Sequence, residues 1–156
     1  MDGWLAALET LALARALSTS SWLYPLVNAG HILGIALLVG AIVPLDLRLL
    51  GLWRRHAVLP LWAVLGSCAA WGLGLAVVCG GLLFITRASE YAASPLFVAK
   101  MAVVALGLVN ALALRARVGE PAAWDGTVPG HVRVAAVVSL SAWLAALLLG
   151  RWIGYR

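Results

Sequence analysis

Residues 21–51 contain the stretch that most constrains how this chain can fold, because no formally charged residue occurs from Trp22 to Leu45. About 20 apolar residues in a helix, at about 1.5 Å per residue, are enough to cross a hydrocarbon core of roughly 30 Å. The stretch therefore predicts a transmembrane helix over about residues 22–45.

Three further apolar stretches predict spans over about residues 61–85, 95–114 and 132–150. The composition agrees: 64% of the residues are hydrophobic and 11% are charged, whereas a soluble domain is about half apolar and about a quarter charged. We expect residues 21–156 to form an all-α integral membrane protein, a four-helix bundle in contact with the lipid bilayer.

The first 20 residues have a different pattern. Trp4, Leu8 and Leu11 recur at helical spacing, whereas Glu9 and Thr10 are polar. This pattern predicts an N-terminal amphipathic helix lying in the membrane interface. A frayed terminus is the alternative.

The basic residues favour one orientation in the membrane. The net charge of +5 is dispersed between the spans and forms no basic stripe, which argues against a nucleic-acid partner. Six arginines fall on one face and four on the other: Arg48, Arg54, Arg55, Arg115, Arg117 and Arg133 against Arg15, Arg87, Arg151 and Arg156. The excess favours the first face as cytoplasmic, so we expect a bacterial inner-membrane protein with both termini in the periplasm.

Small residues four positions apart predict where the helices approach closely. Gly30 and Gly34 have this spacing in the first span, and Gly66, Ala70 and Gly74 have it in the second. Small side chains let two helix backbones come together. We expect both sets to be helix-packing ridges.

His31 is the titratable residue deepest in the first span, about nine residues from its end. Ionisable groups at such depth face the bundle interior and often mark a functional site. The ring could ligate a metal or haem iron or relay protons, or it could be hydrogen-bonded to a neighbouring helix. The other histidines, His56 and His131, belong to the cytoplasmic side, so no pair of axial haem ligands at one depth is evident.

Lys100 and Trp143 are predicted to lie in the same half of the membrane as His31, so the three are candidates for holding a cofactor. Lys100 could instead snorkel to the headgroups or meet an acceptor, for which Glu90 and Tyr91 are available. Trp143 and Trp71 lie away from the interfaces, and core packing accounts for both.

Sulfur-containing side chains in the apolar segments are potential ligands for copper. Met101 and Cys79, with His31, could bind Cu(I), although no CxxC, HxxxH or Met cluster supports the idea. Asn110 is expected to form an interhelical hydrogen bond. Hydrolase motifs and paired carboxylates are absent from the sequence, which argues against an enzyme of that class.

The chain resembles a known family in three stretches: GHILGIALLVG leading into DLRLLG, GGLLFITRASEYAASPLFVAKM followed by NALALRARV, and SLSAWLAALLLGRWIGY. These motifs resemble a bacterial family of small four-helix membrane proteins of unknown function, distantly similar to the membrane domain of the copper-resistance protein CopD. Asp46, Asn110 and Arg151 occupy motif positions. The resemblance implies copper handling or a haem-like redox role.

Two functions follow from the sequence as hypotheses. The first is a non-enzymatic membrane component, either an accessory subunit of a larger complex or a small homo-oligomer, with a redox or metal site near His31. The second is a haem- or copper-binding electron-transfer or metal-handling protein, in which haem b or copper is the cofactor.

Overall fold

The computed structural model describes residues 3–117, 124 and 127–155. The first two residues of the N-terminal segment lie outside the described residues. So does Arg156, which was assigned to the periplasmic face. The described helices are α1 (Gly3–Glu9), α2 (Ala12–Thr19), α3 (Leu23–Leu50), α4 (Val58–Phe84), α5 (Ala88–Ala93), α6 (Pro95–Arg117) and α7 (Gly130–Ile153).

Four of these helices are long and apolar enough to cross a membrane: α3, α4, α6 and α7, with 28, 27, 23 and 24 residues. The predicted all-α membrane architecture is therefore confirmed. The helices extend past several predicted ends, most clearly at α3, which continues to Leu50. Gly51 ends it with a left-handed φ of 108°, a conformation that glycine adopts without a Cβ penalty.

The N-terminal segment forms two short helices where one was predicted. Thr10 and Leu11 separate α1 from α2, and the Thr10 hydroxyl donates to the carbonyl of Ala7 at 2.8 Å. α1 packs against α5, where the Glu9 carboxylate accepts from the backbone N–H of Ser89 at 2.8 Å. The segment therefore lies at the end of the molecule that contains α5, which we call the α5 end.

The four long helices form an open arrangement. α3 packs most extensively on α4, α6 packs on α7, and the contact between α3 and α7 joins the two pairs. Among the described residues, α4 and α6 make no contact of comparable extent. One side-chain contact near the opposite end brings the Arg115 guanidinium close to Gly66.

Glycine allows the closest approach in the molecule, between α3 and α4. A Cβ added at Gly34 would lie 2.5 Å from the backbone nitrogen of Ala76, and one at Gly72 would lie 2.6 Å from that of Leu38. At Gly74, by contrast, nothing lies within 4 Å. The packing ridge of α4 is therefore Gly72, Ala76 and Gly80, and the predicted ridge of Gly66, Ala70 and Gly74 does not face α3.

Two groups of buried side chains fill the bundle. The middle group contains Leu38, Ala41, Ala69 and Trp143. The other group lies near the loop between α3 and α4 (residues 51–57), and we call that end of the molecule the α3–α4 loop end. Its buried members are Leu45, Leu49, Val58, Trp124, Val132 and Ala136. Trp124 packs edge-on against Trp62 with ring centroids 5.7 Å apart.

Candidate functional site

His31 lies on α3 and reaches across to α4. Its Nδ1 atom is 2.8 Å from the backbone carbonyl oxygen of Ala76. The ring lies over Gly80, where an added Cβ would come within 2.9 Å of the His31 Cε1 atom. Gly80 therefore makes the space that the half-buried imidazole occupies.

The hydrogen bond to Ala76 determines which ring nitrogen of His31 is available to a ligand. A carbonyl oxygen can only accept, so the proton must be on Nδ1. In the neutral ring, Nε2 then carries the lone pair. Nε2 has no hydrogen-bond partner among the described residues. The expected hydrogen bond to a neighbouring helix is therefore present, and Nε2 is the ring nitrogen that this bond does not use.

Lys100 lies on α6 and packs against α7. A Cβ added at Gly150 would be 3.4 Å from the Lys100 Nζ atom, so glycine leaves room for the ammonium group. Gly150 is close to the end of α7 at Ile153, and the side chain therefore extends toward the α5 end, the direction expected of a snorkelling lysine. Within the described part of the chain, the ammonium group has no hydrogen-bond or ion-pair partner.

The two acceptors predicted for Lys100 have other partners. Glu90 forms an exposed ion pair with Arg87 at 2.6 Å. Tyr91 packs in an aromatic group with Phe84 and Phe97, at centroid distances of 6.2 and 5.4 Å. Burial raises the pKa of the Tyr91 hydroxyl, and this effect exceeds the opposing effect of Arg87. Among the described residues, neither Glu90 nor Tyr91 forms a hydrogen bond or ion pair with Lys100, so neither of these available acceptors is used.

The predicted copper ligands do not come together. Cys79 is buried beside His31, and its Sγ atom would be 2.9 Å from a Cβ on Gly30. Met101, however, is 47% exposed on α6. The described residues contain no group of three or more His, Cys, Asp or Glu side chains that could hold a metal ion. The set His31, Met101 and Cys79 is not assembled, because Met101 faces away from the bundle.

Trp143 belongs to the middle of the bundle. It is 4% exposed and packs against Gly107 of α6, where an added Cβ would be 3.1 Å from the indole ring. Its neighbour Leu38 is seven residues from His31, about 10 Å along the helix. Trp143 is thus a core residue, as one prediction had it, and lies away from His31 and Lys100. Its indole N–H has no partner among the described atoms.

Asn110 joins α6 to α7 as expected, since its amide nitrogen donates to the carbonyl of Ala135 at 2.9 Å. Arg151 acts locally at the end of α7. Its guanidinium donates to the Tyr155 hydroxyl at 2.6 Å and lies 4.4 Å from the centre of the Tyr155 ring.

Asp46 and Arg48 follow the end of the first span as it was predicted, over about residues 22–45, but both are buried within α3. Asp46 is 4% exposed, lies near Ser139 of α7, and has one carboxyl oxygen without a partner among the described residues. Arg48 is 1% exposed and donates through Nε to the carbonyl of His56 at 2.7 Å. The burial of Arg48 could not be predicted from the sequence, because its partner is loop backbone, which no side-chain pattern indicates.

Trp71 was expected in the core, but it lies on the surface of α4. It is residue 14 of the 27 in α4 and is 80% exposed. Ser67, Gly74 and Gly81 lie on the same side of the helix at intervals of seven residues, and all three are exposed. No atom lies within 4 Å of a Cβ built on Gly74 or on Gly81. We call these four residues the α4 outer face.

The chain matches no family model, no curated protein and no solved structure in the three comparisons made.

Proposed function

We propose that this multi-pass membrane protein is a non-enzymatic subunit of a membrane assembly, either a small homo-oligomer or a larger complex. The observation that carries the proposal is the exposure of Trp71 at the midpoint of a membrane-spanning helix. Tryptophan is enriched at the two interfaces of a bilayer, where its N–H finds a partner. In the hydrocarbon core the indole N–H has no acceptor, and a second helix packed on the α4 outer face would remove the ring from lipid.

The small residues beside Trp71 support the same proposal. Ser67, Gly74 and Gly81 are small and exposed on the side of α4 that carries Trp71, where Val78 is also exposed, and small residues favour helix association in membranes. Faces in contact with lipid alone are usually aliphatic, and α6 is of that kind. Its exposed large side chains are Val98, Met101, Leu106, Leu108, Val109 and Leu112.

Substitution of Gly74 and Gly81 by leucine is expected to abolish assembly without unfolding the chain. The wild-type protein in mild detergent should have a mass well above the 16.4 kDa of one chain, and the double variant should fall to a lower mass. Light scattering after size-exclusion chromatography measures both. Gly40→Leu is the matched control, because Gly40 is also open, but on α3. An unchanged mass for the double variant, or a wild-type chain that is monomeric in native membranes by cross-linking, would contradict the proposal.

A second candidate function is binding of haem b or copper for electron transfer or metal handling. It is supported by the Nε2 atom of His31, which the bond from Nδ1 to Ala76 leaves available, and by the resemblance to CopD-like proteins. A single protein histidine is a known form of haem ligation, and the other ligand would come from the partner in the assembly.

His31→Gln is expected to abolish any bound chromophore or metal, because the glutamine amide can still donate to Ala76 but is a poor ligand for haem iron or copper. His56→Gln and His131→Gln should leave the ligand bound. The measurement is an optical spectrum with metal analysis of protein isolated from native membranes. Retention of the ligand in His31→Gln, or a colourless and metal-free wild-type assembly, would count against this second function.

We also propose that the membrane is the bacterial inner membrane, with both termini in the periplasm. The excess of arginine at the α3–α4 loop end supports this orientation. A reporter that is active only in the cytoplasm should work after Arg55 and fail after Tyr155, and the reverse pattern would overturn the orientation.

A further inference from the structure

A cleft of about 290 Å³ opens beside the loop between α3 and α4. It is lined by Pro44, Trp53, Arg55, His56, Leu61 and Leu65. The lining is divided by chemistry. Arg55, His56 and Trp53 come from the loop, whereas the apolar residues come from the two spanning helices. The cleft therefore has a cationic and aromatic rim and an apolar floor.

Hydrogen bonds from the buried side chain of Arg48 hold the backbone of the rim in place. The guanidinium of Arg48 donates to two loop carbonyls, that of His56 at 2.7 Å and that of Arg54 at 3.4 Å. Arg54 folds back and donates to the carbonyl of Gly51 at 3.1 Å. These interactions order the loop backbone that carries the exposed side chains of Arg55 and His56. Arg48 is a positioning residue for the cleft.

Arg55 gives the rim positive charge, and no counterion for it lies among the described residues. Residues 51–61 contain no aspartate or glutamate. The side chains of Arg55 and His56 are exposed and have no hydrogen-bond or ion-pair partner in the part of the chain that the structure describes. An anionic group is thus the complementary ligand for the rim.

The depth of the cleft restricts the ligand further. The loop follows the end of a membrane-spanning helix, at the level where tryptophan and arginine meet lipid headgroups. Leu65 is seven residues into α4 from Val58, which is about 10 Å along the helix and within the hydrocarbon region. A ligand that fills the cleft must carry an anionic head and an apolar tail on the same molecule.

We propose that this cleft is a binding site for one anionic glycerophospholipid, with its phosphate at Arg55 and His56 and an acyl chain along Leu61 and Leu65. A free anion would leave the apolar floor uncovered, and a neutral lipid would leave the rim without a counterion. The proposal does not depend on how the chain assembles, because the cleft is separate from the α4 outer face.

Native mass spectrometry of the purified protein tests the proposal. Delipidated protein is titrated with phosphatidylglycerol or with phosphatidylcholine that has the same acyl chains. We expect one phosphatidylglycerol to bind per chain. Its half-saturating concentration should be about five- to tenfold lower than that of phosphatidylcholine. Inorganic phosphate should not displace it, because phosphate does not cover Leu61 and Leu65.

The double variant Arg55→Gln with His56→Gln should bind phosphatidylglycerol no better than phosphatidylcholine. Arg117→Gln is the matched control, since Arg117 is an exposed cation at the end of α6 on the same side. It should retain the preference for phosphatidylglycerol. Equal affinity for the two lipids in the wild-type protein, an unaltered preference in the double variant, or displacement of the lipid by phosphate would each overturn the proposal.

Discussion

Replacement of Gly34 by leucine is expected to destabilise the protein more than any other single substitution considered for α3. A side chain there would meet the backbone of Ala76 at 2.5 Å and the Gly72 carbonyl at 2.8 Å, and neither atom can move without separating α3 from α4. Overpacking of a core costs about 1–3 kcal/mol when side chains can adjust, and here only backbone can. We expect a loss of about 3 kcal/mol or more, which corresponds to roughly 6–12 °C in Tm for a chain of this size.

Thermal unfolding in detergent, followed by circular dichroism, measures this loss. Gly40→Leu is the control on the same helix, since a Cβ at Gly40 would meet no atom within 4 Å. The control should melt within about 1–2 °C of the wild-type protein, as exposed substitutions usually do. Equal melting temperatures for Gly34→Leu and Gly40→Leu would show that α3 and α4 are not in backbone contact at Gly34.

The four spans could be predicted because length and hydropathy alone determine whether a helix can cross a bilayer. The face of α4 that packs against α3 could not be predicted from the sequence. Gly66, Ala70 and Gly74 have the same spacing as Gly72, Ala76 and Gly80. The two series lie on different sides of the helix, and only the position of α3 distinguishes them. The same ambiguity misplaced Trp71, which is on the outer side.

The polar residues were likewise predictable only in part. The sequence identified His31 and Asn110 because a polar side chain is conspicuous in an apolar helix. Their acceptors are the backbone carbonyls of Ala76 and Ala135, which exist at every residue and leave no trace in the sequence. Arg48 was misplaced for this reason, since its partners are carbonyls of the loop that follows α3. The candidate site was thus predictable in its central residue but not in its surroundings.

The open arrangement of the helices connects the fold with the proposed function. α3 and α7 form the central contact, whereas α4 and α6 lie on either side of them. Each outer helix therefore presents a broad face to its surroundings, but the two faces differ in chemistry. α6 presents aliphatic side chains and Met101, whereas α4 presents a tryptophan and small residues together with exposed valines. The difference favours α4 as the helix through which the chain assembles.

Replacement of Trp143 by alanine is expected to have the second large effect, because this ring fills the middle of the bundle. It packs against Leu38, Ala41 and Ala69 and lies over Gly107 of α6, so it contacts both helix pairs. Removal of a buried aromatic ring leaves a cavity and costs about 3–5 kcal/mol. The small neighbours Ala41 and Gly107 have no side chain long enough to fill that space, which places the expected loss toward the upper part of the range.

The effect of Trp143→Ala is measured by thermal unfolding under the same conditions, with Trp152→Ala as the control. Both residues lie on α7, but Trp152 is 63% exposed and lies outside the bundle core. We expect Trp152→Ala to change the free energy of unfolding by about 0.5 kcal/mol or less. Since Trp143 packs in the middle of the bundle with residues of α3 and α4, equal effects of the two substitutions would mean that other contacts hold the α3–α4 and α6–α7 pairs together.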